Sequence, residues 1–238
     1  MKIIGHLVCQ DGMPDILRAI ESLYCVCDEI YVVDGGSKDG TREFLEDRKD
    51  IYNLKVFDRK YDTLGNQRNF LLEQTEKNNW IVTVDQDERL TRRTESGLRE
   101  YIKEWVDPRL YDLEQRKCPL VIPINHLNLI QDIFHYDGTS VYHNQKAFYY
   151  DRNLHWFKDF FCSITYSNDK EPEGIVNAIL TVRGFAILHY ARLDPKRLRT
   201  RNKHAKKAKY GGYAKDDWTR FKVDIVKLPE ELRDYVKD

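Results

Sequence analysis

The 238-residue sequence contains no run of about 18 or more apolar residues, so a membrane-spanning helix is not expected. Its opening, MKIIGHLVCQDG, turns polar too early for the apolar core of a signal peptide. Cysteine is sparse and uneven, with five thiols scattered at positions 9, 25, 27, 118 and 162. Cys25 and Cys27 stand too close for the usual zinc spacing, and no second Cys or His pair completes a site. Reduced, buried thiols in a cytoplasmic protein are the expectation. Net charge is also missing: 39 basic residues balance 39 acidic ones, so overall charge points to no polyanionic partner. Two phosphate-binding signatures are absent as well. No glycine loop is followed by Lys and Ser/Thr, and no GxGxxG follows the first apolar run, which argues against P-loop and dinucleotide-binding chemistry.

What is present fits a soluble globular chain, with 41% hydrophobic and 33% charged residues. The N-terminal half alternates strand-like and helix-like segments. KIIGHLVC, EIYVVD, LKVFD and WIVTVD read as strands. MPDILRAIESLYC places Ile16, Leu17, Ile20, Leu23 and Tyr24 on one helical face, with Pro14 suited to the first turn. TREFLEDRK, TLGNQRNFLLEQTEKN (capped by Thr63) and TRRTESGLREYIKEWV supply further helices, the last with Leu98, Tyr101, Ile102 and Trp105 on one face. This alternation predicts an α/β fold with a mostly parallel sheet flanked by helices. In the second half CPLVIPINHLNLI, NQKAFYY, FFCSITYS and FAILHY read as strands. A basic segment then begins at Asp194 and Pro195, the helix cap and first turn. Without repeats or linkers, one domain is the simplest account: residues 1–118, 119–190 and 191–238 are two halves and a helical extension.

Three of the four early strands end in polar or acidic residues: Gln10 and Asp11, then Asp34, then Asp85 and Asp87. In an open parallel sheet those ends share one edge, outside which ligands bind. The stretch IVTVDQDERL gathers Asp85, Asp87 and Glu88 within four positions. Such repulsion calls for a cation or a basic side chain. Two carboxylates one residue apart suit a hard divalent cation, Mn²⁺ or Mg²⁺, with positions left for the oxygens of a diphosphate. Glu88 reads instead as a partner of neighbouring backbone or a cap, and Arg89, Arg92 and Arg93 as a solvated face.

Four segments, DEIYVVDGGSKDGTREFL, GNQRNFLLEQTEKNNWIVTVDQDERL, QKAFYYDRNLHW and ILHYARLDPKRLRTRNKHAKKAKY, occur in an order that resembles the family-2 glycosyltransferases of GT-A fold, near the lipopolysaccharide-core glucosyltransferases. The resemblance implies a Rossmann-type sheet with a donor half, a mixed acceptor half and a C-terminal helical extension. It further implies that Asp34 meets the nucleotide base, typically uracil, that Arg68 faces the nucleotide, and that Asp85 lies near the ribose or sugar. Asp87 would ligate the metal and His189 would add a metal or diphosphate contact, while Lys196, Arg199 or Lys203 would approach the diphosphate. The family's Asn-Glu pair after the first strand is replaced by CQDGMP, where Asp11 stands in for the acid. Its acceptor-side His-Glu motif is replaced by LHWFKDFFCSITY, with His155 and Asp159.

The function implied is metal-dependent transfer of a hexose from a nucleotide-diphosphate sugar, a UDP-sugar above all, to an acceptor hydroxyl. Inversion at the anomeric carbon needs a general base. Asp159 is the first candidate, ahead of Glu171 and Glu173. Between Arg192 and Lys209 only Asp194 is acidic. That stretch reads as a solvated face, a lid over the diphosphate, or an attractor of an anionic surface. Two other functions use the same residues: a nucleotidyltransferase, or a nucleic-acid-binding module with a basic helix. The acceptor stays open among a glycan or lipid-linked glycan (favoured), a protein and a modified DNA base. The expected location is the cytoplasm, including the inner face of a membrane.

Overall fold

The computed structural model describes residues 1–105, 119–129, 133–138, 142–151, 154–156, 164–166, 176–177, 184–190, 225–227 and 230. The first apolar run becomes β1 (Ile3–Cys9), every residue of which is buried. Ile3, Leu7 and Cys9 join one core cluster and Ile4 and Val8 another, so both faces of this strand are covered. β2 (Glu29–Asp34), β3 (Leu54–Asp58) and β4 (Asn79–Asp85) lie parallel to it in the order β3-β2-β1-β4.

Helices follow these strands as the periodicity predicts. In α1 (Ile16–Val26) the buried residues are Ile16, Ala19, Ile20, Ser22, Leu23 and Val26. The expected Tyr24 is instead exposed, tilted edge-on against Tyr52. Pro14 precedes the helix, whose N-cap is Asp15. α2 (Thr41–Arg48) covers the same face through Leu45. α3 (Leu64–Glu73) begins where Thr63 Oγ1 accepts a hydrogen bond from the Asn66 N–H, and it covers the opposite face through Leu71 and Leu72. α4 (Arg92–Trp105) buries Leu98 and Ile102 beside α1.

The sheet then changes direction. β8 (Tyr142–Tyr150) inserts antiparallel between β4 and β6 (Leu120–Asn128). β12 (Ala186–His189) runs parallel to β6, and the three-residue β5 (Glu88–Leu90) closes the row antiparallel to β12. β5 is absent from the sequence reading, because three residues carry no measurable period. The full order is β3-β2-β1-β4-β8-β6-β12-β5, with β11 (Val176–Asn177) beside β6. Separate hairpins pair β9 (Leu154–Trp156) with β10 (Ile164–Tyr166), and β7 (His135–Asp137) with β13 (Ile225–Lys227).

This topology has a direct consequence for the site. β1, β2, β4, β6 and β12 all point the same way, so Gln10, Asp34, Asp85, Asn128 and His189 reach one edge. β5 starts from that edge at Glu88, paired with His189.

Among the described cysteines, Cys9 and Cys27 are buried, and burial pushes both thiols upward. Cys25 departs from expectation by being exposed. No helix of the described residues is long and apolar enough to cross a membrane.

Candidate active site

Two neighbouring structures occupy the shared edge. The first is a cavity of about 460 Å³ lined by Gln10, Asp34, Gly35, Gly36 and Lys38 on one side and by Asp58, Arg59, Lys60 and Tyr61 on the other. Asp34 ends β2 and is buried. Its Oδ1 accepts hydrogen bonds from the N–H groups of Gly36 (3.2 Å) and Ser37 (3.0 Å) and from the Ser37 hydroxyl (2.6 Å). Aspartate forms such local turns readily, and Gly36 supplies the left-handed backbone (φ 98°). Gly35 is required for a different reason: a Cβ there would lie 2.9 Å from the Cβ of Tyr61. The chain after β3 closes the other wall, with N–H groups of Arg59 and Tyr61 donating to the carbonyls of Asp34 and Gly35. An anchored carboxylate in a recess flanked by a tyrosine and three cations suits a base with a ring N–H that carries phosphates.

The second structure is a buried charge cluster. Arg68 on α3 donates to Asp85 Oδ1 at 2.6 Å, and its guanidinium lies 4.6 Å from the ring centre of Trp156. Lys146 reaches the same acid from β8, with Nζ 3.2 Å from Asp85 Oδ2 and 2.7 Å from Glu88 Oε2. Glu88 Oε2 also accepts the Asp85 backbone N–H (2.8 Å), while its Oε1 meets His126 Nε2 at 2.9 Å. Burial alone would raise the Glu88 carboxyl. Lys146 and the hydrogen bond from His126 outweigh it and hold the group well below its ordinary range. His126 moves downward too, chiefly through burial.

Part of the repulsion among the three acids is therefore relieved by basic side chains. Asp85 and Glu88 share Lys146, and Arg68 also holds Asp85, whereas Asp87 faces a histidine. Its Oδ2 lies 3.5 Å from His189 Nε2, and its carbonyl accepts the Tyr190 N–H at 2.9 Å. His189 Nδ1 pairs with Asn128 Oδ1 at 2.7 Å, which fixes the ring and leaves Nε2 toward Asp87. Glu88, His126 and His189 likewise offer ligand atoms within 4.8 Å of one another, a group of the described residues that could also hold a metal ion. A carboxylate and an oriented imidazole at this separation offer two donors to a divalent cation.

Asp34, Asp85, Asp87 and His189 thus share one edge, as the sequence reading requires. The Arg68 side chain is 6% exposed and held by Asp85, and it is not among the residues that line the cavity. Asp11 acts as a clasp between loops. Its Oδ1 accepts the Lys38 N–H at 2.7 Å, and its own N–H donates to Ser37 Oγ. Arg89 is not a solvated residue, since it is 16% exposed and pairs with Glu95 at 3.2 Å, whereas Arg92 and Arg93 are exposed. Asp159, Glu171, Glu173, Lys196, Arg199 and Lys203 lie outside the described residues.

Lys146, His126 and the Arg59–Tyr61 wall escaped the sequence reading. Lys146 had a usable signal, a lysine inside the otherwise apolar-aromatic strand QKAFYY. His126 and Asn128 alternate on β6, which is a strand-face pattern.

The sequence profile described as Glycosyl transferase family 2 matches residues 10–117. A comparison with curated proteins finds no match. Among solved structures, S. aureus TarS 1–349 resembles the chain with a TM-score of 0.50 at 15% identity, over 91% of this chain and 67% of that one. TarS 1–349 in complex with UDP-GlcNAc aligns at 24% identity and a TM-score of 0.40, over 56% of this chain and 38% of that one. A longer TarS structure gives 24% identity and a TM-score of 0.40, over 53% of this chain and 22% of that one. The chain spans from about a fifth to under a half of the length of the first TarS structures it matches. At these identities the likeness concerns the fold.

Proposed function

Residues 10–117 match the glycosyl transferase family 2 profile and the chain has a GT-A-type fold; from these we propose that it moves a hexose from a nucleotide-diphosphate sugar to an acceptor hydroxyl. The observation that carries the reading is the meeting of Asp87 and His189, 3.5 Å apart although distant in sequence, on the edge that also holds the Asp34 recess.

Each side chain then has a defined task. Asp34 keeps Oδ1 for its own turn and offers Oδ2 to a ring N–H, which favours uracil and hence a UDP-sugar. Asp85, held on both oxygens by Arg68 and Lys146, presents a fixed carboxylate beside the ribose or the sugar. Asp87 and His189 are the groups that would hold Mn²⁺ or Mg²⁺. When bound, such an ion neutralises the charge that develops on the departing diphosphate. Lys196, Arg199 and Lys203 are proposed to add positive charge at that diphosphate.

The acceptor oxygen attacks the anomeric carbon, the bond from that carbon to the diphosphate oxygen breaks, and the electron pair leaves with the nucleoside diphosphate. The acceptor proton passes to a carboxylate base, for which Asp159 is proposed, and the anomeric configuration inverts. A glycan or lipid-linked glycan is the proposed acceptor class.

A thermal-shift panel of nucleoside diphosphates and nucleotide sugars, with and without Mn²⁺, tests the reading. A ligand at 100-fold excess over its dissociation constant stabilises by about 2.7 kcal/mol, so UDP or a UDP-sugar with Mn²⁺ is expected to stand out. No shift with any nucleoside diphosphate in the presence of metal would overturn it.

A further inference from the structure

Gln86 stands between Asp85 and Asp87, and its side-chain amide has two partners. The N–H of Gln10 donates to Gln86 Oε1 at 2.8 Å, and Gln86 Nε2 donates to the carbonyl of Gln10 at 3.1 Å. The placement follows from the strands. β1 and β4 are parallel neighbours whose register runs up to Val8 opposite Asp85, and Gln10 lies just beyond the end of β1. The Gln86 side chain supplies one donor and one acceptor, as another peptide unit of the sheet would. It passes over Gly12, where a Cβ would sit 3.2 Å from Gln86 Oε1.

Each end of this clasp is anchored to one part of the site. Gln10 lines the cavity with Asp34. The residues after it are fastened to the loop beyond β2 and the first residue of α2 by the Asp11 N–H on Ser37 Oγ (2.9 Å), the Gly12 N–H on Thr41 Oγ1 (2.9 Å) and the Met13 N–H on Asp39 Oδ2 (2.9 Å). The loop after β1 is therefore tied to the recess that holds Asp34. Asp87, adjacent to Gln86, is tied to the end of β12 by its carbonyl.

We propose that Gln86 couples nucleotide binding to metal binding, by holding the recess loop and the Asp87 turn at the spacing a metal-bound diphosphate needs. This rests on the nucleotide-sugar reading above. A ligand that bridges two loops loses affinity by whatever ordering the loops still require, and a preformed clasp removes that cost. The coupling is reciprocal, so Gln86 should raise metal affinity in the presence of nucleotide by the same factor as nucleotide affinity in the presence of metal.

Calorimetric titration of UDP, with and without Mn²⁺, into the intact wild-type, Gln86→Ala and Gln86→Met proteins tests this. Met keeps the length and bulk of Gln without its hydrogen bonds. The quantity read is the factor by which Mn²⁺ tightens UDP binding. Both variants are expected to melt like wild type and to bind UDP alone within about twofold of it. Their metal factor should fall by about three- to tenfold, as expected for losing two exposed hydrogen bonds. If wild type shows the metal factor and either variant retains it in full, the coupling role is wrong while the nucleotide-sugar reading stands. An equal loss with and without Mn²⁺ would also overturn it, leaving Gln86 a merely structural residue. If wild type binds no UDP even with Mn²⁺, the nucleotide-sugar reading itself fails and takes this inference with it.

Discussion

Asp34 and Glu88 are both buried acids at one edge of one sheet, yet they are stabilised over different distances. Asp34 finds its partners within three residues, in the turn that follows its own strand. Glu88 depends on His126 and Lys146, which stand 38 and 58 positions away and arrive on other strands. The recess around Asp34 is built mainly by loops and opens to solvent. The Glu88 cluster is built by strands and closed inside. Local construction makes the recess tolerant of change at a distance, whereas the cluster exists only when β4, β5, β6, β8 and β12 are all in register.

The largest expected effect of breaking that contrast falls on stability. Lys146→Met removes the shared cation of Asp85 and Glu88 and should cost about 3–5 kcal/mol in denaturant unfolding, because two acids are left without it inside the protein. Adding Glu88→Gln should recover part of the loss, since removing both partners of a buried pair costs less than removing one. Equal stability of Lys146→Met and wild type would remove the cluster from the account of the fold.

A second way to sharpen the contrast uses acid. His6 on β1 is buried against Thr75, and burial, aided by the charge of Arg68, lowers it to about 3. The unfolded chain binds this proton near pH 6.5 and the folded chain only near 3. Stability is therefore complete above about 6.5 and falls as pH drops through that window, by about 3 kcal/mol at pH 4. Unfolding curves between pH 7 and 4 should show this decline, and His6→Asn should flatten it.

Effects on ligand binding come next. Asp87→Ala should lower sugar transfer at least about a hundredfold, the scale of losing several kcal/mol of charge stabilisation, with little change in melting temperature. The mildest test lies in the recess. Asp34→Asn keeps an Oδ1 acceptor for Gly36 and Ser37 but places an amide where a ring N–H needs an acceptor. UDP affinity should fall about tenfold, while unfolding and metal binding stay near wild type.

The same contrast explains what could be read from the sequence. The parallel strands, their helices and the acids at the strand ends were visible, because each is a contiguous run with its own period. Asp34, Asp85 and Asp87 could be placed on one edge by that logic, whereas His189 was reached only through the family resemblance. Lys146 and His126 could not be joined to them, since β8 reaches the cluster by inserting between β4 and β6, and no local pattern encodes that pairing. β5 was missed for its shortness. Tyr24 kept the right helical phase but sits at the margin of the buried stripe, against Tyr52 rather than the sheet. The pairing of Arg68 with Asp85 was not legible, because the sequence shows the neighbours of Arg68 along α3 but not the acid across from it.

The central claim is that the strand-built cluster brings Asp87 and His189 together as ligands of one divalent ion. Counting bound Mn²⁺ by electron paramagnetic resonance, with UDP present, tests it most directly. The account predicts one tightly bound ion per wild-type chain, and its loss in both Asp87→Ala and His189→Ala proteins that still melt like wild type. Undiminished Mn²⁺ binding in either variant would contradict it.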